Sequence, residues 1–332
     1  MKLSSIVIIL FFLVLSVVIV AYLFPSLRQG YEIDQLASSY ISKQAPEFTG
    51  VQSWLNSEPL TMEELQGKVV LVDFWTYSCI NCIRTLPYLT AWYDKYHELG
   101  LEIVGVHTPE FAFEKVPKNV SSALKKHKIK YPIALDNEYK TWQAYDNHYW
   151  PAKYLVDQQG KIVYTHFGEG KYRETEEKIR QLLNIDGRAK TEDPKAFKFG
   201  PQTPEIYLGI TRNRNITNSQ KVSPNTTVYQ LPDELALHSY GLKGEWQHDE
   251  ESVELESDLG EILLHFVGSE VNFVAEADST AELEIYLDNE LIKTFNVQGS
   301  TLYNLYSGEH VDGELRIKVK GNGLKAYAFT FG

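Results

Sequence analysis

Cys79 and Cys82 stand three apart in a chain of 332 residues that holds no other cysteine, and they fall where one folding pattern gives way to another. The apolar run Val69-Val70-Leu71-Val72 before them reads as a buried strand, and Ile83 to Tyr96 after them reads as a helix. A strand that turns straight into a helix puts Cys79 at the helix N-terminus. There the unpaired N–H groups and the positive end of the helix dipole favour a thiolate. Cys82 then lies one turn inside. The arrangement suits thiol-disulfide exchange, with Cys79 attacking and Cys82 resolving.

The pair has other readings. Half a zinc site needs further ligands, and the chain has no second CxxC. His107 and His148 could in principle complete a metal site, although isolated histidines more often serve as packed or exposed polar groups. A structural staple is a poor use of so small a ring, because loop-closure stabilisation grows with the size of the ring.

Residues 6 to 24 run without a charge, close to the roughly 20 residues that a membrane-spanning helix needs. The run exceeds the apolar core of about 7–15 residues in a cleaved signal peptide, and no small-x-small site succeeds it, so an uncleaved anchor is expected. Lys2 places the N-terminus in the cytoplasm and the rest of the chain outside it, an asymmetry that Arg28 reduces. No cysteine is available for lipidation near this segment, so the helix itself is the tether.

Composition divides the remainder of the chain. The expected order is an anchor over 1–27, a linker over 28–44, an α/β domain over 45–187, a second linker over 188–205 with Pro194, Pro201 and Pro204, and an all-β sandwich over 206–332. Strand-like and helix-like stretches alternate in the first domain. In the second, Val253–Glu256, Leu283–Leu287, Leu315–Val319 and Tyr327–Phe331 alternate with period two, separated by turns expected at Asp288-Asn289, Asp312-Gly313 and Gly321-Asn322-Gly323. Residues 200–332 carry 21 acidic and 9 basic side chains, whereas the first 199 residues carry 23 of each. Acidity confined to the sandwich argues against a nucleic-acid partner, which would need a basic surface. Tyr240, Trp246, Tyr303 and Tyr306 offer either a sugar-stacking platform, hence a glycan ligand, or ordinary core packing.

The run Val72-Asp73-Phe74-Trp75-Thr76-Tyr77-Ser78-Cys79-Ile80-Asn81-Cys82, with Pro87 beyond it, resembles the thioredoxin superfamily. Asp73 and Pro87 match the superfamily's buried acid and helix-kinking proline, whereas Ile80-Asn81 departs from its usual intervening pair. Ala45–Phe48, Gly67–Trp75, Gly105–Glu114, Tyr149–Leu155 and Thr203–Gly209 extend the likeness to the TlpA-like, extracytoplasmic part of DipZ-type proteins, a thioredoxin-like domain followed by a jelly-roll resembling carbohydrate-binding modules.

The resemblance implies a thiol-disulfide oxidoreductase acting on disulfide-bearing client proteins, without a cofactor, and more suited to reduction than oxidation. It implies a cis peptide before Pro151, with Trp75, Trp150 and Pro151 beside the incoming substrate. Asp73 is either the proton acceptor for Cys82 or a buried polar group satisfied by a neighbour, and Glu110 either matches the acid that TlpA-like proteins carry near the CxxC or is a solvated loop carboxylate. One expected span cannot replace the multi-span electron-transfer domain of DipZ, so a membrane donor of CcdA type is the implied partner. Peroxiredoxins share the fold, but the proline and threonine that precede their reactive cysteine are missing. A surface-binding protein with a structural disulfide is the rival from outside catalysis.

Overall fold

A computed structural model describes residues 43–189, 191–193 and 202–332. The expected membrane span and half of the second linker lie outside these residues, and no helix among the described residues is long and apolar enough to cross a membrane.

The first domain contains strands β1 (Trp54–Leu55), β2 (Val69–Trp75), β3 (Leu101–His107), β4 (Ile133–Leu135), β5 (Ala152–Val156) and β6 (Ile162–Phe167), in the sheet order 1-4-3-2-5-6. Strands β2, β3 and β4 run parallel, and β1, β5 and β6 pair antiparallel to their neighbours. Every residue of β2, β3 and β5 is buried, which accounts for their near-continuous apolar sequences. Helices α1 (Ile80–Tyr96), α2 (Pro117–His127), α3 (Lys140–Ala144) and α4 (Tyr172–Leu182) complete the domain. The first of these begins three residues earlier than its periodicity suggests, because Cys79 itself caps it. The two-residue strand β1 is too short for a sequence pattern to reveal.

Close packing fixes β2 against β3. Gly105 lies opposite Asp73, and a Cβ there would come within 2.5 Å of Ile133 and 3.0 Å of the Trp75 indole nitrogen. Only glycine leaves room for both side chains at this point.

The second domain is β-rich, with β7 (Ile206–Tyr207), β8 (Thr227–Tyr229), β9 (Ser239–His248), β10 (Val253–Leu255), β11 (Leu259–Ala277), β12 (Ala281–Leu287), β13 (Glu290–Val297), β14 (Thr301–Lys320) and β15 (Leu324–Phe331). The long strand β11 changes partner along its length, pairing with β9 through Glu261–His265 and with β15 through Val271–Ala277. Since β10 joins β9 to β15, these four strands form a closed circuit. Such closure removes unpaired edges.

Two expectations change here. Asp312-Gly313 is no turn: both residues sit inside β14 opposite Val267 and Phe266, and Asp312 accepts a bond from His265 Nε2 at 2.9 Å. Tyr240 and Trp246 are fully buried in the β-domain core and cannot form a stacking platform. Tyr303 packs on Phe295 with ring centroids 5.7 Å apart, and Tyr306 lies edge-on to Phe266 at 5.9 Å.

The two domains share apolar contacts. Tyr327 of β15 meets Phe111 and Phe113 at centroid separations of 5.2 and 4.8 Å. With Val274 and Ala328 it belongs to the same buried cluster as Cys82, Leu86 and Trp92.

Candidate active site

Strand β2 delivers the chain to the start of α1, and Cys79 is the N-cap of that helix. Its Sγ accepts the Cys82 N–H at 3.3 Å. Cys79 is half-buried, Cys82 is fully buried, and both are free thiols. Burial pushes the Cys82 thiol well above its ordinary value, and the neighbouring Cys79 and Asp73 charges push it further. Pro87 lies within α1 on its exposed side, where the helix forgoes one N–H.

Asp73 is wholly buried, and burial pushes its carboxyl up to about 6 against the opposing pull of Lys153. Strand pairing sets Lys153 directly opposite Asp73, with Nζ 3.7 Å from Oδ1. That separation makes an ion pair but exceeds a hydrogen bond. Sequence reasoning overlooked Lys153. The signal for it was a lysine inside the buried apolar run Ala152–Val156 facing an aspartate inside another such run.

The Trp150–Pro151 peptide is cis, as the motif implies. Pro151 immediately precedes β5, whose first residue pairs with Phe74, so the bond lies at the Cys79 end of the sheet. Trp150 lines the cleft beside Cys79 and donates its indole N–H to the Thr108 carbonyl at 3.1 Å. Trp75 requires correction. Its side chain is fully buried, edge-on to His107 at 5.3 Å, and reaches no substrate. The apolar strand pattern that carries it inward is the reason.

Glu110 also occupies a different setting from the one expected. It lines the same cleft as Cys79, but Arg212 Nη1 binds its carboxylate at 2.7 Å and the Tyr207 hydroxyl lies 2.9 Å from it. It therefore ties the domains together and does not stand free as an acid. The carboxylate buried beside the CxxC loop is Glu114, which sequence reasoning missed. Its Oε1 accepts from the Ser78 hydroxyl and N–H, and its Oε2 accepts from the Glu110 and Phe111 N–H groups. Burial pushes it up to about 7, with the Ser78 bond pulling the other way.

His107 is buried, stacks on Tyr77 at 5.7 Å, and is held neutral by burial, its pKa lowered to about 3. His148 is exposed and pairs with Asp146 at 3.3 Å. The two occupy unlike environments, and no cluster of three or more metal-ligating side chains occurs among the described residues.

Cys79 opens into a cleft of about 630 Å³ between the domains, with Arg84 and Trp150 on one side and Tyr207 and Arg212 on the other. The Tyr207 hydroxyl lies within bonding distance of both Glu110 and Glu205, at 2.9 and 2.8 Å, with a single proton to give.

Comparison with known proteins agrees with this geometry. Residues 41–183 match the Redoxin family and residues 203–332 the family described as thioredoxin like C-terminal domain. Protein DipZ of Mycobacterium tuberculosis is 37% identical over 299 residues, which cover 87% of this chain and 43% of that protein. The chain thus spans less than half the length of that relative. Thiol-disulfide oxidoreductase YkuV of Bacillus subtilis is 32% identical over 139 residues, covering 42% of this chain and 93% of that one. The solution structure of a thioredoxin-like protein in its oxidised form is 30% identical and covers 44% of this chain and 99% of its own, with a TM-score of 0.41.

Proposed function

We propose, from the premise that the chain belongs to the thioredoxin-like thiol-disulfide oxidoreductases, that it reduces protein disulfides outside the cytoplasm, tethered by residues 6–24. The observation that carries the reading is the asymmetry of the two thiols: a half-buried Cys79 capping α1 and a fully buried Cys82 one turn inside, on which the charge of the buried Asp73, whose oxygens make no hydrogen bond, acts.

In the first step the Cys79 thiolate attacks one sulfur of the client disulfide. A Cys79–client bond forms, and the client's other sulfur leaves as a thiolate that takes up a proton. Cys82 must then lose its proton before it can attack. We assign that proton to Asp73, which is ionised above about pH 6 and whose charge acts on Cys82. The Cys82 thiolate displaces the client's remaining sulfur, leaving a Cys79–Cys82 disulfide and a fully reduced client. Restoring the dithiol takes two electrons and two protons, which we assign to a membrane donor of CcdA type.

The test is covalent trapping. Cys82→Ser in the full-length membrane-bound chain should accumulate mixed disulfides with client proteins, because nothing remains to expel Cys79, whereas Cys79→Ser should accumulate almost none. Adducts should be open to protease in intact spheroplasts if the soluble domains face outward. Equal trapping by both variants would refute the roles, and protected adducts would refute the topology.

A further inference from the structure

The cleft beside Cys79 has a wall that a thioredoxin-like domain alone would lack. Its volume of about 630 Å³ falls within the roughly 300–1,000 Å³ of small-ligand pockets. Two folded proteins, by contrast, typically meet over about 800 Å² of surface on each partner. Cys79 is half-buried and lines that cleft together with residues of the second domain, so a flat protein face approaching the sulfur would meet that wall as well.

The wall is held firmly. Arg212 binds Glu110 at 2.7 Å and lies over the Tyr207 ring at 3.7 Å. The Ala112 N–H donates to Glu251 at 2.8 Å. Arg84 of α1 bridges Glu169 of its own domain and Glu270 of the other. The Tyr327 contacts with Phe111 and Phe113 add an apolar seam. Glu205 and Tyr207 line the cleft, and among the described residues β7 pairs with β15 alone. A strand with one paired edge is the element that recognises an extended chain by main-chain bonding.

We infer that the second domain acts as a selectivity wall, so that the cleft admits a disulfide carried on an extended polypeptide segment and excludes one lying in the face of a folded protein. The inference rests on the thiol-disulfide exchange proposed above.

Three disulfides with a common chromophore separate the two ideas. They are the free aromatic disulfide dithiobis-nitrobenzoate, a short unstructured peptide whose one cysteine carries thionitrobenzoate, and a stably folded protein with the same label on one cysteine in a flat face. In each single turnover the reduced full-length protein is oxidised to its Cys79–Cys82 disulfide, and the substrate becomes two thiols, at least one of them coloured. The labelled peptide should exceed the labelled protein in kcat/KM by about thirtyfold. Arg212→Ala, which loosens the wall, should cut that preference by about fivefold or more, and Arg212→Lys by less. If Arg212→Ala does not fold, Glu205→Trp should lower the peptide rate more than the aromatic-disulfide rate by crowding the cleft. Equal handling of peptide and folded protein by the wild type, a peptide-over-protein preference that Arg212→Ala leaves unmoved, or a peptide-to-aromatic ratio that Glu205→Trp leaves unmoved would overturn the wall while leaving the exchange reaction standing. Failure with the free aromatic disulfide would overturn the exchange reaction itself.

Discussion

Asp73 and Lys153 face each other across the ladder between β2 and β5 with Oδ1 and Nζ 3.7 Å apart, at side-chain exposures of 0% and 1%. Neither charged group completes a hydrogen bond there. The lysine holds the carboxyl lower than burial alone would, yet leaves its oxygens free to take a proton. This geometry suits a group that must be ionised at neutral pH and still act as an acceptor.

Asp73→Asn removes that acceptor. The rate at which Cys82 resolves a mixed disulfide should rise through about pH 6 in the wild type. In the variant the rise should move to higher pH, with a loss of about a hundredfold at pH 7. Rapid-mixing measurement across pH 5–9 checks this, and superimposable profiles would reduce Asp73 to a packing group.

Stability should depend on pH through the same groups. A carboxyl whose folded-state value is raised keeps its proton where the unfolded chain has already lost it. Its contribution is therefore full below the ordinary value and fades as pH rises through the raised one. Asp73 covers the window from 3.8 to about 6 and Glu114 the window from 4.5 to about 7. Each shift corresponds to about 3 kcal/mol. Because His107, lowered to about 3, pulls the opposite way as pH rises toward 6.5, the signature is a difference: the urea midpoint of the wild type relative to that of Glu114→Gln should fall between pH 4.5 and about 7.

The Ser78 hydroxyl bond pulls the Glu114 carboxyl down. Ser78→Ala should therefore raise it beyond about 7 and cost roughly 1–3 kcal/mol for the buried acceptor left short of a donor. Isotope-edited carboxyl titration would follow the shift directly. A titration curve identical to that of the wild type would remove Ser78 from the account.

Tyr327→Ala should loosen the seam between the domains. Truncating a buried aromatic side chain costs about 3–5 kcal/mol, and Tyr327 is 6% exposed against Phe111 and Phe113. Calorimetry is expected to show two separated transitions in the variant where the wild type shows one. A single transition at an unchanged temperature would mean that the contact does not couple the domains.

The sequence revealed most where the signal was local. A buried strand, two thiols and a helix are adjacent, so the capping role of Cys79 could be read directly. The residues that were missed depend on distant contacts. Glu114 lies 36 positions from Ser78 and belongs to a short turn with no periodicity of its own. Lys153 acquires its meaning only when β5 is laid against β2. Trp75 misled because an aromatic beside a reactive centre invites a binding role, while β2 is covered on both faces and leaves no side chain of the strand outside the core. The cleft was invisible for the same reason as Glu114: Arg212 and Glu110 are separated by 102 positions and meet only when the domains dock.

Strand β15 comes later in sequence than every strand with which it pairs, and it supplies both Tyr327 of the seam and Phe331 of the cleft lining. The first domain, with both thiols, is synthesised well before it. At about 5–20 residues per second, that order leaves an interval of seconds in which the first domain can fold while its neighbour is still being made. If the second domain is the wall inferred above, a newly made molecule passes through a stage at which both thiols are in place and the control of access to them is not.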